Sequence, residues 1–151
     1  IQVMMTYPNA DPGSEAIIQL LTTMNARNPS RYKLVKNLGQ LHFISFLKIA
    51  WCMVGNSSSS LFEAPTAKLP AILISNRQKG RLILGNIITS NGQRDSLLRS
   101  FKRVDEPNFQ SGLADLVNPY GDGNTAVKIV SILKDVDLNN LMIKQFVKLA
   151  Q

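Results

Sequence analysis

The chain has 151 residues, 44% of them hydrophobic, and a mean hydropathy of −0.01. It is long enough to bury a core and too apolar for a disordered segment. Seventeen Lys and Arg against ten Asp and Glu give a net charge of +7, but the cations are scattered and no zinc-finger spacing, RNP-type motif or recognition helix joins them, so nucleic acid is not an expected partner.

The first segment, "IQVMMT" (1–6), is a short apolar run ended by Tyr7 and Pro8 and reads as a strand already in full course. We expect the chain to be an internal piece of a longer protein. "PNADPG" is a loop, and Ser14 is placed to cap a helix through "EAIIQLLTTMNAR", with Ile17, Leu20, Leu21 and Met24 on one face. "YKLVKN" (32–37) reads as a second strand. The spacing of Leu41, Ile44, Phe46, Leu47 and Ala50 predicts a helix over 39–50.

"WCMVG" (51–55) is a third strand, apolar throughout, as expected where both faces are covered. A short helix, "SLFEAPTA", precedes a fourth strand, "PAILIS" (70–75), and "LILGNIITS" (82–90) holds a candidate fifth. "QRDSLLRSFKRV" (93–104) and "TAVKIVSILKDV" (125–136) are amphipathic helices, with the turn cluster "NPYGDGN" between them; Asp122 or Asn124 is placed to cap the second. "NNLMIKQFVKLAQ" (139–151) reads as a last helix whose apolar face is suited to pack on a segment outside this chain and predicts self-association of the isolated chain; a homo-oligomer is expected as well. Strand and helix alternate over short connections, which predicts one α/β domain over 1–151 with a Rossmann-like, doubly wound parallel sheet.

No run reaches the roughly 18 residues of a membrane-crossing helix, and no secretory leader is apparent. The single cysteine, Cys52, lies in an apolar run and reads as a buried thiol in a reducing, cytoplasmic compartment. No His, Cys or Asp cluster has metal-ligand spacing, so neither metal nor cofactor is expected. His42, the only histidine, has no catalytic partner at a meaningful spacing and reads as a packed or surface residue.

"GNSSSSLFEAP" (55–65) occupies the place where ligands bind in such sheets, the carboxyl end of a strand. Small residues there admit an anion close to the backbone, where N–H groups, serine hydroxyls and a helix dipole can hold a phosphate. An ordinary strand-to-helix turn reads equally well from the pattern, and neither the Walker nor the GxGxxG pattern is present. Glu63, about two turns into the helix, is poorly placed to cap it but suited to accept bonds from a ribose diol.

Four segments in order, "TYPNADPGS" (6–14), "GNSSSSLFEAP" (55–65), "RQKGR" (77–81) and "NPYGDGN" (118–124), resemble the UDP-N-acetylglucosamine 2-epimerase family, most closely its hydrolysing, N-acetylmannosamine-forming branch. The resemblance implies most of the carboxyl-terminal domain of a two-domain enzyme of the GT-B architecture. The amino-terminal domain with its catalytic carboxylates, and a first strand carrying a UDP-site histidine, would lie upstream of Ile1. By resemblance, this chain holds no catalytic residue and is inactive alone; its partners are UDP or UDP-N-acetylglucosamine and the missing domain. Ser57 and Ser58 match the pair that binds the diphosphate, Glu63 the acid that holds the ribose, and Arg77 a base at the UDP site. Asn9, with Asp11 in the same loop, matches a nucleotide-contacting asparagine, and Leu38 falls where backbone groups read the uracil edge. A GT-B glycosyltransferase or a non-catalytic binding remnant would share this cradle.

The chain departs from the family at Ser60, where glycine is usual, at Ser75-Asn76, where Gly-Asp is common, and at the bulky Trp51. We expect Ser60 to crowd the turn that approaches the phosphate, and the first helix, with Glu15, Gln19 and Thr22, to lack the basic residues that bind a feedback inhibitor in the animal branch.

Overall fold

In the computed structural model, which describes residues 1–137, the apolar run "VMMT" forms β1 (Val3–Thr6), and the chain returns through helix α1 (Ser14–Arg27) to β2 (Tyr32–Val35). The two strands pair in parallel, Val3 opposite Tyr32 through Thr6 opposite Val35. Helix α1 turns a face of half-buried Ile18, Leu21, Met24 and Asn25 inward, one position on from the expected stripe, and leaves Ile17 and Leu20 exposed. Asn25 sets that rotation: its side-chain oxygen accepts the Leu34 N–H at 3.0 Å, tying helix to strand. Ser14 does not cap the helix. Gly13 takes the cap position with φ of 86°, a left-handed conformation that glycine adopts without steric cost.

Helix α2 (Gly39–Ile49) leads to a second parallel sheet, in which β4 (Ala71–Ile74) lies between β3 (Met53–Gly55) and β5 (Ile87–Ser90). Helix α3 (Ser59–Phe62) joins β3 to β4 and is a single turn. Alternation along β4 divides the core between its two faces. Ala71 and Leu73 pack with Leu61 and Ile87, whereas Ile72 packs with Ile88 and Val104. All three β4 positions are buried, so "AIL" needs no polar face. Leu47 of α2 packs separately with Ala64 and Leu69.

Beyond β5, α4 (Arg94–Val104) and α5 (Pro107–Ala114) follow. Helix α5 was not foreseen; its sequence "PNFQSGLA" has few apolar residues, and its one start signal is Pro107 in the first turn, where a missing N–H costs nothing. Cys52 packs against the Ile72 cluster. Burial, first, pushes its thiol up to about 11, so it stays protonated at neutral pH and is no nucleophile.

The chain divides into two compact units, 1–116 and 117–151. In the second, α6 (Thr125–Asp135) follows the turn over 118–124. Asp122 accepts the Asn124 N–H at 3.0 Å and pairs with Lys128 at 3.2 Å. Those bonds, the backbone one first, hold its carboxyl below the usual value. Neither Asp122 nor Asn124 caps α6 through its side chain. The helix expected over 139–151 lies outside the described residues. No described helix is long and apolar enough to cross a membrane.

Candidate functional site

Every strand in both sheets is parallel to its neighbour, so the loops at the carboxyl ends gather at one edge of each sheet. Asn9 and Asp11 follow β1, Leu38 follows β2, Ser57 and Ser58 follow β3, and Arg77 follows β4. These groups do not all meet. No hydrogen bond among the described residues joins Asn9, Asp11 or Leu38 to the others. Asn9 and Asp11 are exposed, and the Asp11 carbonyl accepts the Ser14 N–H at 3.0 Å. The Leu38 carbonyl is in contact with His42 Nδ1 at 3.1 Å, which leaves its N–H as the uncommitted backbone group. His42 is exposed, as a surface histidine should be.

Around β3 and β4 the residues do converge. The Ser57 hydroxyl accepts the Ser59 N–H at 3.3 Å, and the Ser57 and Ser58 carbonyls accept from Ser60 and Leu61, folding the run into a tight turn. The Ser57 and Ser58 N–H groups make no hydrogen bond among the described residues. With α3 only one turn long, the donors here are these two N–H groups rather than a helix dipole. Arg77 reaches back from the next loop, its Nη1 donating to the Asn56 carbonyl at 3.3 Å. Glu63, instead of lying two turns into a helix, caps the end of α3. Its Oε2 is buried and has no hydrogen-bond partner among the described residues. A buried acceptor left open is costly and is the kind of group that a ligand hydroxyl completes.

Free N–H donors and a cation thus meet at one strand end, and an unsatisfied carboxylate oxygen belongs to the residue that ends the one-turn helix after it. Over this region and beyond, residues 1–134 match the family model described as UDP-N-acetylglucosamine 2-epimerase. The chain belongs to that family. It is 37% identical over 148 residues to the GDP/UDP-N,N'-diacetylbacillosamine 2-epimerase (hydrolyzing) of Campylobacter jejuni subsp. jejuni serotype O:2, a match covering 97% of this chain and 38% of that protein. The chain therefore spans well under half the length of this relative. The crystal structure of UDP-GlcNAc 2-epimerase from Neisseria meningitidis bound to UDP-GlcNAc superposes with a TM-score of 0.63 at 19% identity, over 89% of this chain and 36% of that one. The S. aureus MnaA–UDP co-structure does so with a TM-score of 0.62 at 21% identity, over 85% and 35%. At such identities the likeness shows a shared fold, and the expected parallel α/β architecture is borne out.

Two departures from the epimerase family's pattern turn out to face away from the serine turn. Ser60 is fully buried, its hydroxyl 3.9 Å from Met53 Sδ, so its side chain points into the core instead of crowding the turn. Trp51 precedes β3 while the serines follow it, so the strand separates them. Its indole stacks on Phe101 at 5.9 Å and donates to Asp105 Oδ1 at 2.9 Å. Ser75 does carry strain, with φ of 71°, in the left-handed region that glycine occupies freely. Its hydroxyl accepts the Arg77 N–H at 3.4 Å, a local bond that offsets part of this cost.

Two residues that sequence reasoning missed hold this turn in place. Gln78 is 3% exposed and donates from Nε2 to the Asn56 carbonyl at 2.8 Å. Asn86, fully buried, donates from Nδ2 to the carbonyls of Ser60 at 3.3 Å and Leu69 at 3.0 Å. Two carbonyls facing one end of the amide fix its orientation.

Proposed function

We propose that the protein containing this chain is a hydrolysing UDP-sugar 2-epimerase and that the first unit, residues 1–116, supplies its UDP-holding surface. The observations that carry the reading are the open N–H groups of Ser57 and Ser58 where α3 begins and, among the described residues, the buried, unpartnered Oε2 of Glu63 where it ends. A nucleoside diphosphate satisfies both: its ribose hydroxyls donate to Glu63, and its phosphate oxygens accept from the serine turn and from Arg77. Asn9, Asp11 and the Leu38 N–H would meet the base end. In the reaction, a proton leaves C2 of the sugar while the C1–oxygen bond breaks and UDP departs with that electron pair. Water then adds across the resulting C1–C2 double bond, its hydroxyl to C1 and its proton to the opposite face of C2. The serine turn stabilises the diphosphate as its charge develops; proton transfer at C2 falls to residues upstream of this chain.

The strand order of the expected fold leaves room for an upstream segment. β1 and β3 each have one edge without a ladder partner among the described residues. In the doubly wound order 3-2-1-4-5-6, the first strand lies between the second and fourth. Taking β2-β1 as strands three and two, and β3-β4-β5 as four to six, leaves that slot for a strand preceding Ile1. A cytoplasmic location and a homo-oligomeric state belong to the same proposal; the unpaired Cys52 agrees with a reducing compartment.

The substrate is a UDP sugar with an acetamido group at C2, either UDP-N-acetylglucosamine or the diacetamido sugar named for the Campylobacter relative. Incubating the full-length protein with each in deuterated water tests this. We expect stoichiometric UDP release and a free, C2-inverted sugar carrying one deuterium at C2. Sugar transfer to an acceptor, or a product with its C2 hydrogen retained, would contradict it.

A further inference from the structure

We propose that Gln78 is a positioning residue that aims the Ser57 N–H at the ligand by clamping the peptide plane before it; the proposal rests on the UDP-holding role assigned above to the serine turn. The Asn56 carbonyl and the Ser57 N–H belong to one peptide unit, and no peptide bond among the described residues is cis. In a planar trans peptide these two groups point in opposite directions. Gln78 Nε2 holds the Asn56 carbonyl at 2.8 Å, with Arg77 Nη1 on the same oxygen at 3.3 Å. The Ser57 N–H is therefore turned away from the loop after β4, and it has no partner among the described residues. A carbonyl pinned on one side of the plane thus fixes a free donor on the other.

The clamp is itself braced. Gln78 Oε1 accepts from Arg81 Nη1 at 2.7 Å, which determines which end of the amide faces Asn56. The Arg81 guanidinium lies 5.3 Å from the centroid of the Phe62 ring, on α3. The line from Phe62 through Arg81 and Gln78 to Asn56 thus starts and ends on the segment carrying the serines, with the turn between its ends. Gln78 is 3% exposed, so ligand does not reach it directly. Without the clamp, the peptide plane can rotate and present the Asn56 carbonyl oxygen where the Ser57 N–H had been, replacing a donor with an acceptor opposite a phosphate.

The test is a calorimetric comparison of UDP and uridine binding to the full-length protein and two variants. Gln78→Glu keeps the contact to Arg81 but loses the donor to Asn56. Arg81→Ala removes the brace at an exposed position. We expect Gln78→Glu to weaken UDP about tenfold and Arg81→Ala by a smaller factor, with uridine affinity unchanged in both, because only the diphosphate meets the Ser57 N–H. A general loss of structure would lower both affinities together, and that result overturns the clamp. Unchanged UDP affinity in both variants overturns it too. If the unaltered protein binds no UDP, the functional reading fails and the clamp with it, an outcome distinct from a protein that binds UDP but is indifferent to residue 78.

Discussion

Replacing Glu63 with glutamine is expected to weaken UDP binding by about tenfold to a hundredfold, the worth of one or two charge-assisted hydrogen bonds. The ligand-free protein is expected to lose no stability. Those two effects arise from the same atom. Glu63 Oε2 is buried and has no partner among the described residues, so without ligand it is a liability; in the proposed complex a ribose diol would make it a strong acceptor. The glutamine variant removes the charge while retaining the shape. Calorimetry with UDP and 2',3'-dideoxy-UDP isolates the effect: the unaltered protein should prefer the diol, and Glu63→Gln should bind the two almost equally. An undiminished preference for the diol in Glu63→Gln would place the ribose elsewhere.

The second large effect is on stability. Asn86→Ala should destabilise the protein by roughly 2–4 kcal/mol, from two buried carbonyls left without donors at about 1–3 kcal/mol each, reduced where the chain can relax. The acceptors, Ser60 and Leu69, both lie in the connection between β3 and β4, one in α3 and one just before β4, so one side chain ties two points of that connection to the start of β5. Asn86→Asp should be no better, because a carboxylate oxygen would then face the two carbonyls. Urea denaturation followed by circular dichroism measures the change. A shift under about 0.5 kcal/mol, the range of an ordinary surface substitution, would mean that these bonds contribute little.

Strand β4 was legible in the sequence because a strand covered on both faces needs a continuous apolar run, and "AILI" is one; "VMMT" was legible from its apolar start and the Tyr7-Pro8 that ends it, although only Met5 of β1 is buried. The amphipathic helices α4 and α6 followed from their spacing. Helix α1 was placed correctly but its stripe fell one position off, because the bond from Leu34 to Asn25, a polar contact, sets its rotation. Helix α5 has too few apolar residues for a period to emerge. The serine turn is singled out because its small residues follow a strand, and Glu63 and Arg77 are proposed beside it through the family resemblance. Gln78 and Asn86 could be found neither way: each bonds to backbone carbonyls, which carry no sequence signature, at separations of 22, 26 and 17 residues. Ser60 was misjudged for a related reason. A serine in a polar run reads as exposed, yet the one-turn helix rotates it into the core against Met53.

The most direct test of the central claim is calorimetric titration of UDP, with CMP as control, into the full-length protein and into this chain alone. Saturable UDP binding by the full-length protein, weaker binding by this chain alone, and no response to CMP are the predicted results. A full-length protein that is folded yet indifferent to UDP would contradict the assignment of the serine turn. A chain that binds UDP as tightly as the full-length protein would contradict the proposed need for an upstream segment.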